Sequence, residues 1–441
     1  MECLLKSKLL LLYFFTNFAT SIFIILIIYL KRTYLYEVIE LNDIRNFLLK
    51  ENISIGIISN PLINPKNKKN FLNIKNLKNA FNTFKQQKVN VIVILGNLLE
   101  TPDDNAYKQF NNIYYEYFHN LTFPFKIFMM GENLYEKEYK KIEKYQKKFH
   151  QYLNQSYCEK LRIGIYNFIK FSYYKSKNNS NINWLKKELS KTIKTNPIFV
   201  LTSIDENNYK EINDVLKNYN NIILIDGNSK YSLIDERSIS KKNYITINVQ
   251  SVSYINLHSN EKIENGPIPI DQNGDNEIAY KNPMGLILNF SQYNFIFNRI
   301  FLNENYFYGE QWIIPIAFID EKKIISDYDY YRKDIIPYFP ENINNDIKVE
   351  KNDKNKYIIK FYQASFKTLA CEYQIIFENE KIKQIYYYFS DYFLFPDDRN
   401  REISLLINHK VKKGVYFVKI YAKNCYGKFS NNFIFNRIEL K

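Results

Sequence analysis

Histidine and cysteine, the side chains that most often build metal centres, are scarce in this sequence. There are four of each in 441 residues, and no two cysteines have the close spacing of a metal site. The 61 lysines and arginines exceed the 46 acidic residues and give a formal charge of +15, which alone would invite a nucleic-acid partner. Lysine is nevertheless spread along the whole chain, without an arginine-rich cluster or a recognition motif. We therefore expect no nucleic-acid binding.

The sequence leaves the oxidation state of the cysteines open. Cys371 and Cys425 fall in one C-terminal region, and they could form a disulfide if that region faces an oxidising compartment. Buried free thiols are the simpler expectation, because an unpaired cysteine behaves as a small apolar residue.

One long uncharged stretch lies near the amino terminus. Leu9–Leu30 contains 22 residues without charge, which is the length of a membrane-spanning helix. It lacks the short apolar core and small-residue cleavage site of a signal peptide. We predict an uncleaved anchor over residues 1–32, a linker over 33–52 and a single-pass protein with a lumenal or extracellular body. Five glycosylation sequons agree with that location, at Asn52, Asn120, Asn154, Asn178 and Asn289.

Residues 53–258 alternate apolar strand patterns with helical patterns, which predicts a layered α/β domain. Two helical patterns are clear, Asn70–Gln87 and Asp103–His119. The predicted strands are Ile53–Ser59, Val89–Leu95, Lys126–Met130, Ile198–Leu201 and Ile222–Ile225.

Strand patterns dominate the rest of the chain. Residues 259–284 are predicted to be a linker rich in Gly, Pro and Asn, 285–350 a β-rich connecting domain and 351–441 an immunoglobulin-like β-sandwich. Gly414–Tyr421 and Asn431–Ile438 should form a hairpin. The predicted fold class is therefore an α/β domain, built as a β-sandwich flanked by helices, followed by an all-β region.

The five strands of the α/β domain each end in a short polar turn. Ligands of open α/β sheets bind at the carboxyl ends of strands, so these turns should meet at one crevice. The turns are Asn60–Leu62, Gly96–Glu100, Gly131–Leu134, Thr202–Ser203 and Gly227–Lys230.

The α/β part resembles the calcineurin-like metallophosphoesterases over roughly residues 53–257. The most specific match is Trp184-Leu-Lys-Lys-Glu-Leu189 followed by Asn196-Pro-Ile-Phe-Val-Leu201, which is similar to the family's helix and strand before a metal-binding histidine. Val91–Asn97 is similar to its Gly-Asp turn, and Pro124–Gly131 to the strand before its Gly-Asn-His turn. The order of domains resembles the transmembrane protein 62-like subgroup of that family.

The resemblance implies a two-metal site, but this sequence departs from it at every ligand position. The family's first Asp-x-His turn corresponds to Asn60 and Leu62, and its bridging aspartate corresponds to Asn97. Five further substitutions fall at three places in the family pattern, namely the Gly-Asn-His turn, the isolated histidine and the Gly-His-x-His turn. These degenerate positions are Glu132 and Asn133, Ser203, and Asn228 and Lys230.

Two adjacent divalent cations need carboxylates to offset their charge and imidazoles to fix their geometry. Asparagine oxygens contribute no charge, Leu62 cannot ligate, and the ammonium of Lys230 would oppose a metal. We therefore expect no catalytic residues and no metal cofactor. A hypothesis for the crevice is that Lys230 and Glu132 form a buried ion pair in place of the metals; a surface ion pair of little consequence is the alternative.

Three functions remain open from the sequence. The leading one is a membrane-anchored, catalytically inactive phosphoesterase-like protein that acts as a scaffold or binding protein for a protein partner. The alternative is an active phosphoesterase with two divalent metals and an unusual ligand set. A third is an adhesion protein that uses the aromatic runs at Tyr386–Phe389 and Tyr392–Phe395 if they are exposed; core strands would explain these runs equally well. The carboxylates that the active alternative could recruit are Asp205, Glu206, Asp226 and Asp235.

Overall fold

A computed structural model describes residues 53–440 of the chain, with gaps. The gaps are 68–69, 119–123, 132–138, 174–179, 193–195, 205, 229–230, 242, 256, 265–281, 317–334, 342–346, 352–355, 365–368, 400–401 and 408–410.

Strands and helices alternate in the first part of the described chain, and strands alone follow. The first part contains β1 Ser54–Ser59, α1 Asn70–Gln86, β2 Val91–Leu95, α2 Asp104–Phe118, β3 Phe125–Phe128, α3 Tyr139–Leu153, β4 Cys158–Ile163, β5 Tyr166–Phe171, α4 Ser180–Ser190, β6 Ile198–Thr202, α5 Glu206–Leu216, β7 Ile222–Asp226, β8 Ile239–Lys241 and β9 Ile245–Asn248. The second contains β10 Met284–Phe290, β11 Asn294–Phe301, β12 Tyr306–Pro315, β13 Lys348–Lys351, β14 Tyr357–Tyr362, β15 Glu372–Glu378, β16 Lys383–Phe389, β17 Glu402–Leu406, β18 Gly414–Lys423 and β19 Ile434–Leu440.

Two six-stranded sheets form the α/β domain. The first has the order β12-β11-β10-β1-β2-β3 and the second β4-β5-β6-β7-β9-β8. β1, β2 and β3 are parallel to one another, as are β5, β6, β7 and β9. Every residue of β2, β6 and β7 is buried, because strands of this kind are covered on both faces and so read as unbroken apolar runs.

The two sheets pack face to face, with helices on the outside. Aromatic rings join the inner faces: Tyr166 lies 5.0 Å from Phe290, and Phe199 lies 4.9 Å from Phe295. Outside the first sheet, α1 and α2 share a core with β2 through residues such as Phe81. Outside the second sheet, α4 and α5 share a core with β5, β6 and β7. The predicted α/β class, with a β-sandwich flanked by helices, is therefore observed.

The first sheet is completed by strands from much later in the chain. β10 pairs antiparallel with β1, Ser54 lying opposite Asn289, and β11 and β12 follow at the same edge. The predicted α/β domain ends at residue 258, and residues 285–350 were predicted to form a separate connecting domain. In the structure, β10–β12 belong to the first sheet of the α/β domain. Their apolar patterns reveal that they are strands but carry no information on which strand they pair with.

The last seven strands form a two-sheet sandwich. One sheet has the order β13-β14-β17 and the other β16-β15-β18-β19, and buried residues of both sheets share one core. The predicted hairpin is present, because β18 and β19 pair antiparallel. At the start of β18 the hydroxyl of Tyr416 donates to the carbonyl of Lys412 over 3.0 Å. A disulfide joins Cys371 to Cys425, so the expectation of free thiols at these two positions was wrong.

The α/β domain and the sandwich are in direct contact. Phe395 lies 5.1 Å from Phe301 of β11 and 5.4 Å from Tyr306 of β12, ring centre to ring centre. The segment that leaves the second sheet also docks on the sandwich, since the N–H of Glu264 donates to the carbonyl of Tyr387 over 2.8 Å. The segment that follows the second sheet of the α/β domain is thereby tied to β16.

The prediction of a membrane anchor needs correction. In the described part of the chain no helix is long and apolar enough to cross a membrane. The longest described helix, α1, has 17 residues and carries polar residues throughout, whereas a span needs about 20 mostly apolar residues. This finding contradicts both the anchor and the single-pass lumenal or extracellular location. The stretch Leu9–Leu30, from which they were predicted, lies outside the described residues.

Candidate functional site

Turns from both sheets of the α/β domain meet at the carboxyl ends of their strands. Glycines allow the close approach. A methyl group built on Gly96, which follows β2 with φ +75°, would overlap the side chain of Asn60 after β1 and lie 3.1 Å from Oγ of Ser203 after β6. One built on Gly227 after β7 would lie 2.5 Å from Cβ of Leu95. The structure thus brings these turns to one place.

Asn60 lies at the centre of this crevice and is 2% exposed. Its Oδ1 accepts a hydrogen bond from the N–H of Asn97 over 2.7 Å, and its Nδ2 donates to the carbonyl of Gly227 over 2.7 Å. Nδ2 also lies 3.3 Å from the hydroxyl of Tyr254. One neutral amide therefore links the turns after β1, β2 and β7. Its backbone has φ 46°, a left-handed conformation that asparagine tolerates better than most residues.

Asn97 is held just as closely. Its side chain packs against the backbone of the turn after β3, where a methyl group on Gly131 would overlap both Oδ1 and Cα of Asn97. Its backbone carbonyl accepts the N–H of Leu62 over 3.1 Å. Leu62, with φ 50°, is fixed on the other side by its carbonyl, which accepts from Nδ2 of Asn73 over 3.0 Å. The turns after β1, β2 and β3 are therefore packed directly on one another.

A buried carboxylate organises the turns of the second sheet. Oδ1 of Asp226 accepts from the N–H of Ile204 over 3.2 Å and from the N–H of Asn228 over 3.1 Å. Ser203, 7% exposed, precedes Ile204 in the turn after β6. Asp226 thus holds the backbone on which Ser203 and Asn228 lie. The remaining predicted positions, Glu132, Asn133 and Lys230, are outside the described residues, as is the ion pair suggested for them.

Sequence reasoning missed the segment that joins the two sheets at the crevice. After β9, residues 249–253 run beside the end of β1, and Ser59 forms a parallel bridge with Ser251. The hydroxyl of Ser251 donates to the carbonyl of Asn60 over 3.1 Å, and that of Ser253 to the carbonyl of Pro61 over 2.8 Å. The alternation Ser-Val-Ser in this segment was the available signal.

In the described residues, neither the carboxylates that the active alternative could recruit nor the histidines of the chain are grouped as metal ligands. Asp235 is fully buried and forms an ion pair with Arg237, Oδ2 to Nη2 2.6 Å. His150 is exposed on α3, and the ring of His258 lies edge-on to that of Tyr231 at 5.6 Å. The other candidates fall at positions or side chains that are not described: Asp205, Glu206, His119 and His409.

The donors of this crevice do not fit the metal pair that the resemblance implies. Both ends of the Asn60 amide are engaged with backbone groups, so ligation would require breaking two short hydrogen bonds. The side chain of Leu62 offers no lone pair, and Asn97, whose amide is uncharged, packs closely against Gly131. Throughout the described ranges, no three His, Cys, Asp or Glu side chains are grouped as a metal site would need.

The aromatic runs suggested for adhesion are not exposed. Tyr386 is 9% exposed, Tyr388 1% and Tyr392 1%, and the first two belong to the core of the sandwich. The prediction that these runs form a contact surface was wrong, because alternating aromatic residues suit a core strand equally well.

Comparison with known proteins gives matches only among solved structures. No protein-family model matches the sequence, and no curated protein does. A dimetal phosphatase from Danio rerio is 7% identical, with a TM-score of 0.39, over 60% of this chain and 99% of its own. A purple acid phosphatase from yellow lupin seeds is 8% identical, with a TM-score of 0.41, over 60% of this chain and 54% of its own. Vacuolar Protein Sorting 29 from Cryptosporidium parvum is 9% identical, with a TM-score of 0.28, over 60% and 98%.

Proposed function

We propose that the α/β domain is a degenerate calcineurin-like phosphoesterase fold without two-metal chemistry, and that the protein works as a scaffold or binding protein. The observation that carries this proposal is the amide of Asn60. By the resemblance, Asn60 corresponds to a ligand-bearing aspartate of that family, and its amide binds the backbone of two neighbouring turns instead of presenting a charge to an ion.

The energetic reason lies in charge and desolvation. Two divalent cations bring four positive charges, and in a water-poor crevice that charge must be offset by anionic ligands. Asn60 and Asn97 supply only neutral dipoles, and Leu62 supplies none. Asp226, the last residue of β7, is buried, and its carboxylate already accepts hydrogen bonds from two backbone N–H groups. Hydrogen bonds between turns take over the cohesive role that metals have in an active phosphoesterase.

The C-terminal sandwich supports the binding part of the proposal. Its three strands β13-β14-β17 against four strands β16-β15-β18-β19 resemble the seven-strand sandwich of immunoglobulin-like modules, with the fourth strand on the sheet of the sixth and seventh. The hydrogen bond from Tyr416 at the start of β18 to Lys412 corresponds to the tyrosine corner of such modules. We assign this region as immunoglobulin-like, and the order of the two domains resembles that in the transmembrane protein 62-like subgroup.

Metal analysis and a hydrolysis assay on the purified full chain test the proposal. We expect far less than one equivalent of Mn, Fe or Zn, and no chelator-sensitive hydrolysis of p-nitrophenyl phosphate. A matched variant restores the first two ligand turns, Asn60→Asp with Leu62→His and Asn97→Asp, and should bind more metal than the parent chain. Two equivalents of transition metal in the parent, with hydrolysis lost on chelation, would instead establish an active enzyme with an atypical ligand set.

A further inference from the structure

The outer face of the hairpin β18–β19 carries a continuous row of exposed aromatic side chains. Alternate residues of a strand point to opposite faces, so Tyr416, Val418 and Ile420 enter the core while Phe417, Lys419 and Tyr421 point outward. We call the outward row, together with its neighbours on and before β19, the aromatic face. It consists of Phe417, Tyr421, Phe429, Phe433 and Phe435.

The rings of the aromatic face contact one another across the hairpin. Phe417 and Phe435 are stacked at 5.7 Å, and Tyr421 lies 4.9 Å from Phe433 and 6.2 Å from Phe429. The four phenylalanines are 45%, 39%, 43% and 47% exposed in chain order. The other strongly exposed aromatics, such as Phe71 and Tyr293, do not join this row. Only here in the described chain do so many exposed rings form one patch.

The area of the aromatic face approaches what a stable dimer needs. With about 200 Å² for a fully exposed ring, these four phenylalanines present roughly 350 Å² of apolar surface. A standard interface buries about 800 Å² on each partner, and about 65% of a homodimer interface is apolar, or roughly 500 Å². Val415 and Ile385, 41% and 45% exposed on the same side of the sheet, extend the patch toward that figure.

Charges on this face are balanced, which suits a self-complementary contact. Lys419, inside the aromatic row, forms an ion pair with Glu378 of β15 at 3.1 Å. On β19 the outward residues Arg437 and Glu439 have opposite signs. A groove of about 540 Å³, lined by Phe417, Phe433 and Phe435 with Glu378, Asn379, Glu380 and Lys419, offers space for a protruding side chain. A partner with charges of a single sign would not be complementary to this face, whereas a second copy of the chain presents both positive and negative side chains.

We propose that the aromatic face is a homodimer interface, in which the β18–β19 hairpins of two copies of this chain pack face to face about a two-fold axis. In such an arrangement each copy presents the same patch, so that apolar area and charges of both signs are matched by symmetry. The proposed contact involves residues of the sandwich and none of the turns that form the crevice of the α/β domain. The inference is independent of the function proposed for that crevice.

Analytical ultracentrifugation of the full chain over a micromolar concentration series tests the interface. We expect the parent chain to sediment as a dimer. The variant Phe417→Ser with Phe435→Ser removes the central stacked pair and should raise the dimer dissociation constant by roughly thirtyfold or more. The control Phe71→Ser with Tyr293→Ser removes two rings that are more exposed, 63% and 68%, from the α/β domain and should leave the dimer intact. Thermal melts are compared at a dilution where the parent chain is monomeric, because dimerisation itself stabilises the folded state, and under that condition all three proteins should melt at similar temperatures.

Each contrary outcome overturns the inference. A monomeric parent chain would mean that the face receives a different partner or none. A dimer that survives the Phe417→Ser, Phe435→Ser change, or that is lost in the control, would place the contact elsewhere. Should the double serine variant melt at a lower temperature, the charge variant Arg437→Glu with Lys419→Glu must still weaken the dimer, or the proposal is wrong.

Discussion

Replacing Asn60 by alanine should destabilise the α/β domain far more than a surface substitution would. The change removes two 2.7 Å hydrogen bonds made by a buried side chain, to the N–H of Asn97 and to the carbonyl of Gly227. Each is worth about 1 kcal/mol net, and up to about 3 kcal/mol where a buried partner loses its only bond, so the loss is roughly 2–4 kcal/mol. The left-handed backbone at φ 46° adds about 1 kcal/mol for alanine.

Glycine at the same position separates the two contributions. Asn60→Gly removes the same hydrogen bonds but adopts the left-handed conformation without strain, so it should be about 1 kcal/mol more stable than Asn60→Ala. The assay is urea unfolding followed by tryptophan fluorescence. Both tryptophans of the chain, Trp184 in α4 and Trp312 in β12, lie in the α/β domain, so the signal reports that domain and not the sandwich.

The midpoint of unfolding should fall in both variants without a change in slope. A loss below about 1 kcal/mol in Asn60→Ala would refute the view that this amide holds the turns together, since the two hydrogen bonds that it makes should together contribute about 2 kcal/mol or more. Equal stability of the alanine and glycine variants would refute only the contribution assigned to the left-handed backbone conformation at residue 60.

Two further predictions concern the disulfide and a buried lysine. The bridge between Cys371 and Cys425, 54 residues apart, should contribute about 4 kcal/mol to the stability of the sandwich by restricting its unfolded chain. Reductant should therefore lower the melting temperature measured by circular dichroism but leave the transition measured by tryptophan fluorescence unchanged. Equal melting temperatures with and without reductant would contradict this. Burial lowers the pKa of Lys170 from its usual 10.5 despite the opposing charge of Glu159, so the folded state gains stability as pH rises from the lowered pKa toward 10.5. The variant Lys170→Met should therefore be at least as stable as the parent near pH 7. The difference in free energy of unfolding between variant and parent, measured by urea unfolding, should be smaller at pH 10. A larger difference at pH 10 would refute burial of the charged lysine as the cause.

The sequence was sufficient for the local part of this structure. Runs such as Val91–Leu95 and Ile222–Asp226 are apolar because both faces of a parallel strand are covered, and that cause is visible in the run itself. The meeting of the turns follows from the parallel direction of those strands. The hydrogen bonds of Asn60 do not follow, because an asparagine in a turn reads the same whether its amide faces solvent or a neighbouring backbone.

The sequence did not predict which distant segments of the chain pair with one another. Nothing in Met284–Phe290 says that it pairs with β1, and nothing in Tyr386–Phe389 says which face is covered. Likewise, the stretch Leu9–Leu30 suggested a membrane span by length and hydropathy alone, while no described helix meets the requirement for one. Pairing, burial and environment depend on the whole chain, so a local pattern leaves them undetermined.

The late completion of the first sheet has a consequence for synthesis. Because β1 pairs with β10, a ribosome must add about 230 residues after Ser54 before Asn289 can lie opposite it. At roughly 5–20 residues per second, that edge of β1 waits for some tens of seconds with its N–H and C=O groups unmatched. An unmatched edge is a template for wrong partners. The edge of β1 is therefore a site where the nascent chain is exposed to aggregation during this interval.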